Sequence, residues 1–202
     1  KVFEYILPGG WARFVEEGYC TRLDLAVDVE GVRLGEFLVY WPGMRRSRQF
    51  FGSGKVLEDT MLRTYEIGKY GGDRYLVVYD KKRQQMKKQG VHVEKEGGEN
   101  ELTRFEVRVR PCTKWSEVTA INNIFSEIKV SSLAAFTSNN DKRFARFLRI
   151  CQIDGAQNAL LMYEDKDREL FRSRLVLAKT PWWSPDSIWK EFKPALFDHL
   201  KS

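Results

Sequence analysis

An α+β fold, with a central antiparallel sheet, flanking helices and a helix-rich C-terminal half, is what this sequence predicts. Three observations predict it. Residues 21–29, TRLDLAVDV, and 101–110, ELTRFEVRVR, alternate apolar and polar side chains with the period of two of a half-buried strand. Residues 74–80, RYLVVYD, are a strand-length apolar run that follows the turn residues Gly71, Gly72 and Asp73. Beyond residue 111 the apolar residues recur instead at helical spacing, as in KRFARFLRI at 142–150. The 202 residues read as one domain, sheet-rich over 1–111 and helix-rich over 112–202.

Taken in order, residues 1–20 mix aromatics with Gly9 and Gly10 and read as a short helix or strand entering a turn. In the strand at 21–29, Leu23, Leu25, Val27 and Val29 point one way, and Arg22, Asp24, Ala26 and Asp28 the other. Residues 34–41 fit a short helix or a strand. Residues 42–55 fit a hairpin in which Arg48 to Phe51 is one strand and Gly52 and Gly54 supply the turn. Residues 57–68 carry no deciding pattern. Residues 81–89, KKRQQMKKQ, form a basic helix closed by Gly90, and 94–100, EKEGGEN, an exposed loop. In the strand at 101–110, Phe105, Val107 and Val109 face the core, while Arg104, Glu106, Arg108 and Arg110 share the other face. Pro111 ends it because it has no N–H for the ladder. Residues 115–150 read as helical segments, the first opened by Trp115-Ser116-Glu117 and the second capped by Asp141. Residues 155–178 read as one long amphipathic helix, with Ala159, Leu160, Tyr163, Leu170 and Leu177 in phase. Residues 181–202 carry Trp182, Trp183, Trp189 and a short helix.

Composition narrows the function classes. At 43% hydrophobic and 31% charged the chain has ample core material for a soluble globular protein. A net charge of +6 suits a polyanionic partner, because Lys and Arg that neutralise phosphates release condensed counterions. Cys20, Cys112 and Cys151 form no CxxC pair, which removes a zinc ribbon and argues against a disulfide framework; free thiols in a reducing cytoplasm are expected. No signal peptide or membrane span is visible, so no membrane partner is expected. The chain opens on Lys1 rather than Met, within what reads as ordered structure, and a fragment of a longer protein is expected. There is no Walker loop ending in GK[ST] and no GxSxG elbow. With only His92 and His199, neither a His-x-His metal pair nor a His-based zinc hydrolase can be assembled. Any chemistry runs on carboxylates, Tyr, Lys and Arg.

Two sheet faces supply such groups. Asp24 and Asp28 share one side of their strand, with small Ala26 between them, and Glu106 stands between Arg104 and Arg108. Carboxylates are costly on a buried face without a reason. Three of them can converge on a hard divalent cation, Mg²⁺ or Mn²⁺, and arginines alongside suit phosphate. The same pattern fits a solvated face laced by Arg–Glu and Arg–Asp cross-strand pairs, and a period of two does not say which face is wet. Tyr79 ends an apolar strand just before Lys81, Lys82 and Arg83. With an ordinary pKa near 10, a tyrosine is a poor nucleophile unless cations stabilise its phenolate. A packing tyrosine followed by a solvated basic helix fits the spacing equally.

RLDLAVD at 22–28, YLVVYDKKRQQ at 75–85 and LTRFEVRVR at 102–110 occur in that order. The trio resembles the Rep_trans group, replication initiators of small Gram-positive plasmids that replicate by rolling circle, and related relaxases of conjugative elements. FFGSG at 50–54 fits the glycine-bearing strand that precedes the tyrosine strand in such proteins. The resemblance covers residues 20–110; the helical remainder matches only in general character. It implies a bacterial, cytoplasmic nicking-closing enzyme in which Tyr79 attacks one DNA strand, leaving a 5′-phosphotyrosyl link and a free 3′-hydroxyl. It implies a divalent metal between Asp24 and Glu106, with Asp28 as a further ligand, and Lys81 and Arg104 stabilising the transition state. Gln84 stands where the family often has Glu. Implied partners are plasmid origin DNA, single-stranded or cruciform at the nick, a replicative helicase and a second copy of the chain. Arg45, Arg46, Arg48, Lys82, Arg83, Lys142, Arg143 and Arg146 are the candidate DNA contacts. Arg149 and a helix bearing Arg168, Arg172 and Arg174 are further candidates for reading sequence; a solvated helix face or a subunit contact fits these residues as well. A DNA-binding regulator without catalysis and a metal-dependent nuclease that uses water are the alternatives.

Overall fold

The structure, a computed structural model, describes residues 10–51, 62–90, 101–137 and 140–201. The turn expected at Gly52 and Gly54 and the loop expected at 94–100 lie outside the described residues. Five antiparallel strands form the main sheet: β2 (Leu23–Glu30), β4 (Ser47–Phe51), β5 (Leu62–Gly68), β6 (Arg74–Asp80) and β7 (Leu102–Val109). Their order is β2-β7-β6-β5-β4, which puts β2 and β4 at the edges and β6 and β7 at the centre. Two short ribbons accompany it, β1 (Tyr19–Cys20) with β8 (Thr113–Lys114), and β3 (Phe37–Tyr40) with β9 (Lys129–Ser132). The helices are α1 (Gly10–Glu17), α2 (Lys81–Lys88), α3 (Lys142–Asp154), α4 (Ala156–Leu161), α5 (Asp165–Leu177) and α6 (Pro185–Lys201). The fold is α+β, and no helix among the described residues is long and apolar enough to cross a membrane.

The sheet has one dry and one wet face, as alternation dictates. Tyr65, Ile67, Leu76, Val78, Phe105 and Val107 are fully or almost fully buried on one side, against Trp41, Phe125, Ile128 and Trp183. A second cluster lies among the helices, centred on Phe144, Phe147, Phe171 and Leu175. Strand β3 joins them. Phe37 and Val39, with the following Trp41, pack into the sheet cluster, while Leu38 and Tyr40 pack into the helical one. Covered on both sides, β3 is apolar throughout, which is why periodicity alone left it between helix and strand.

Three expectations are corrected. The helix expected over 155–178 is two, α4 and α5, because the chain turns at 162–164; Tyr163 packs there on Phe147 and Phe171, while Leu170 and Leu177 are exposed. Residues 115–136, expected as helical, hold three short 3₁₀ segments and β9 rather than α-helix. Residues 62–68, where the sequence carries no deciding pattern, form the inner strand β5, between β6 and β4. The last helix is long, 17 residues, with Pro194 inside it. The cap on α3 is where it was expected: the Asp141 carboxylate accepts from the N–H groups of Arg143 (3.0 Å) and Phe144 (3.1 Å).

Edge strand β4 is fixed to the corner between α3 and α4 by polar contacts. Ser47 Oγ donates to the Asp154 carbonyl at 2.9 Å, Asn158 Nδ2 donates to the Ser47 carbonyl at 2.9 Å, and Gln49 Nε2 donates to the Cys151 carbonyl at 2.9 Å. Gly155 makes the corner possible. Its φ is +84°, and a Cβ there would stand 2.3 Å from Ser47 Oγ and 2.9 Å from Tyr65 Oη. Gly155→Ala is expected to cost about 3 kcal/mol, from backbone strain plus overpacking, read as a lower urea midpoint.

Candidate active site

Strand register sets out the wet face as rows. In one row, Asp28 of β2 faces Arg104 of β7, which faces Tyr79 of β6, which faces Thr64 of β5. The next row is Ala26, Glu106, Val77 and Glu66, followed across β4 by Arg48. The third is Asp24, Arg108 and Tyr75. All three carboxylates singled out from sequence, both central arginines and Tyr79 therefore share one side of the sheet.

The Tyr79 hydroxyl donates to Glu106 Oε2 at 3.4 Å. Burial and the Glu106 charge push the phenol above its ordinary pKa, while the charge and hydrogen bond of Arg104 oppose the rise. The phenol thus rests protonated, with an acceptor on one side and a cation on the other. Arg104 is held rigidly: its Nε and Nη2 donate to the two oxygens of Asp28 at 2.5 and 2.6 Å. That bidentate pair holds the Asp28 carboxyl below its usual range, helped by the charge of Lys81. Lys81 thereby belongs to the same patch. Asp80 Oδ1 accepts from the Arg83 N–H at 2.8 Å, capping α2 where it leaves β6 and fixing the Tyr79–Lys81 junction. Lys81 Nζ is 3.4 Å from Gln84 Oε1, so Gln84 positions the ammonium without neutralising it.

The three carboxylates do not fit a single ion. Asp24 and Asp28 are four residues apart on one strand, about 13 Å between Cα atoms, too far for both to reach a point at metal–oxygen distances of about 2.1–2.5 Å. Among the described residues no group of three His, Cys, Asp or Glu side chains gathers as a cage. Asp24 and Glu106, the pair the resemblance implies, share Arg108, but both Asp24 oxygens also accept from Arg22 (Nε to Oδ1 at 2.8 Å, and Nη2 to Oδ2), so an ion there has to displace Arg22. Glu106 Oε1 is 3.6 Å from Arg108 Nη2, and Arg108 Nε is 3.1 Å from Asp24 Oδ1, so Glu106 and Asp24 flank one guanidinium beside the gap above Ala26. Mg²⁺ typically takes one or two carboxylates, completing its shell with water and phosphate oxygens. Asp28, expected as a further ligand, is instead the anchor of Arg104.

The candidate DNA contacts divide. Arg45 and Arg46 are exposed before β4, and Arg48 lies on the Glu106 row. Lys82 and Arg83 open α2 beside Tyr79. Lys142, Arg143 and Arg146 are elsewhere: α3 packs under the opposite face, where Gln49 meets Cys151. Arg143 pairs with Asp167; Lys142, Arg146 and Arg149 line an open groove of about 620 Å³ on α3. Arg168 and Arg174 are structural, Arg168 binding the carbonyls of Leu160 and Tyr163 and Arg174 pairing with Asp141. A cleft of about 580 Å³ between β2 and α6 is lined by Asp24, Asp28 and Glu191 together with apolar side chains such as Phe125, Ile188 and Phe192. Sequence reasoning did not single out Tyr70 or Tyr75, which flank Arg108; the parity of Tyr75 with Tyr79 was the available signal.

No protein-family model matches the chain, and no curated protein matches it. Among solved structures it is similar to the rolling circle replication initiator protein from Geobacillus stearothermophilus, with 19% identity and a TM-score of 0.37. The match covers 73% of this chain, which spans 62% of the length of that one.

Proposed function

We propose that this chain is a DNA nicking-closing enzyme of the rolling-circle initiator kind, acting at a plasmid origin through Tyr79. The observation that carries this reading is the Tyr79 hydroxyl, 3.4 Å from Glu106 and in register with the Asp28-anchored Arg104. Tyr79 Oη attacks the scissile phosphorus while Glu106 accepts the phenolic proton. The bond from phosphorus to the 3′ oxygen breaks, and that oxygen takes up a proton from solvent. The products are a 5′-phosphotyrosyl link and a free 3′-hydroxyl. Arg104 keeps its Nη1 donors free of Asp28, and with Lys81 it offsets the charge that builds on the phosphate oxygens. A Mg²⁺ or Mn²⁺ ion on Asp24 and Glu106 supplies further polarisation of the phosphate when bound. The bond energy is conserved in the phosphotyrosyl link, so religation by the 3′-hydroxyl needs no ATP. Single-stranded or cruciform origin DNA is the substrate, and a replicative helicase and a second copy of the chain are the partners this role calls for.

The test is incubation with single-stranded and supercoiled origin DNA plus Mg²⁺ or Mn²⁺. A protein–DNA adduct that survives detergent is expected. Cutting without an adduct would mean a water-using nuclease, and binding without cutting a regulator. Arg104→Ala is expected to slow adduct formation by about 10²–10³-fold, the scale of losing one fixed charge-stabilising donor, while circular dichroism stays unchanged.

A further inference from the structure

Tyr70 lies in the turn between β5 and β6 and is 73% exposed, yet its ring is held in place. The Arg108 guanidinium stands 5.3 Å from its centroid, and the Tyr75 ring meets it edge-on at 5.7 Å and 89°. Arg108 is itself fixed, with an 11% exposed side chain 3.1 Å from Asp24 and 5.8 Å from the Tyr75 ring. A large aromatic 73% exposed to water while a cation and a second ring orient it is a ready platform for another π-face. Tyr75 faces Arg108, on the same side of the sheet as Tyr79 and four residues before it. The separation is about 13 Å, or about four nucleotides at the 3.4 Å stacked spacing and fewer when the strand is stretched. Exposed cations surround the turn: Arg46, whose carbonyl accepts from Gly68, Lys69, and Arg110, whose N–H donates to Asp73.

We infer that Tyr70, braced by Arg108 and Tyr75, is a stacking station that holds one base of single-stranded DNA a few nucleotides from the scissile phosphate. The inference rests on the DNA-nicking reading above for its ligand. Stacking on a tyrosine is tolerant of base identity, so the station fixes the path of the strand rather than reading its sequence. The surrounding cations take the backbone, and the strand crosses the wet face from the β5–β6 turn to the end of β6.

Binding of a short labelled thymidine oligonucleotide, in EDTA so that nothing is cut, tests this in the whole chain. Tyr70→Ala is expected to weaken binding by about tenfold or more, the scale of losing one stacked base, whereas Tyr70→Trp keeps the affinity. Equal affinity of Tyr70→Ala and the unaltered chain overturns the station, and if the adduct still forms with metal the nicking reading stands without it. Tyr70-dependent binding with no adduct under any metal supports the station and removes the nicking reading. No binding of the oligonucleotide overturns both.

Discussion

Tyr79→Phe is expected to eliminate the covalent DNA adduct and lower strand cleavage on the order of 10⁴-fold or more, the scale of losing a nucleophile or its activator. The change removes one oxygen. Tyr79 is half-buried, and its hydroxyl meets Glu106 at a long 3.4 Å and Arg104 on the wet face rather than the core, so little packing or stability is lost. Affinity for single-stranded DNA is expected to stay within about twofold, because in the proposed mode arginines and lysines, not the phenol, take the phosphates. The pairing of lost cleavage with retained binding separates chemistry from folding. A solvated face with a packing tyrosine, the plainer reading of the same pattern, gives no cleavage to lose.

Glu106→Gln is the second large effect. Glutamine keeps the shape and removes the charge, so the phenolic proton has no basic acceptor and one of the two carboxylates proposed to hold an ion is gone. Cleavage is expected to fall by about 10²–10⁴-fold, the range of a positioned general base. The opposite residue across the strand pair is Ala26 and the side chain reaches no apolar cluster, so the thermal midpoint is expected to move little. A metal titration adds resolution. Asp24→Asn is expected to raise the Mg²⁺ concentration needed for half-maximal rate, whereas Asp28→Asn is expected to lower the rate at saturating ion, because its work is to hold Arg104. Equal shifts of the metal requirement in both would contradict the division of the carboxylates.

Much of this face is legible in the sequence. Strand β7 runs half-buried and buried in strict alternation, and β2 keeps its carboxylates outward, as a period of two requires. What parity does not contain is which strand neighbours which. That β7 lies between β2 and β6 is what brings Asp28, Arg104 and Tyr79 into line, and it comes from the global topology. Strand β5 was missed because Thr64, Tyr65, Glu66 and Ile67 alternate only briefly before Gly68. The break between α4 and α5 was invisible for another reason. Ala159 and Leu160 before the turn, and Phe171 and Leu175 after it, bury into the same cluster, so the apolar spacing runs on while the chain reverses. The brace of Tyr70 by Arg108 joins a turn to a strand far along the chain, and local pattern carries no trace of it.

The most direct measurement is to locate the phosphoryl group on the protein after reaction with origin DNA and Mg²⁺. Trypsin releases residues 75–81, YLVVYDK, which contain both Tyr75 and Tyr79, and fragmentation of that peptide distinguishes the two phenols. The nucleotide is expected on Tyr79, with Tyr75 unmodified. A nucleotide on Tyr75 or Tyr70, or cut DNA with every tyrosine unmodified, would contradict Tyr79 as the attacking group.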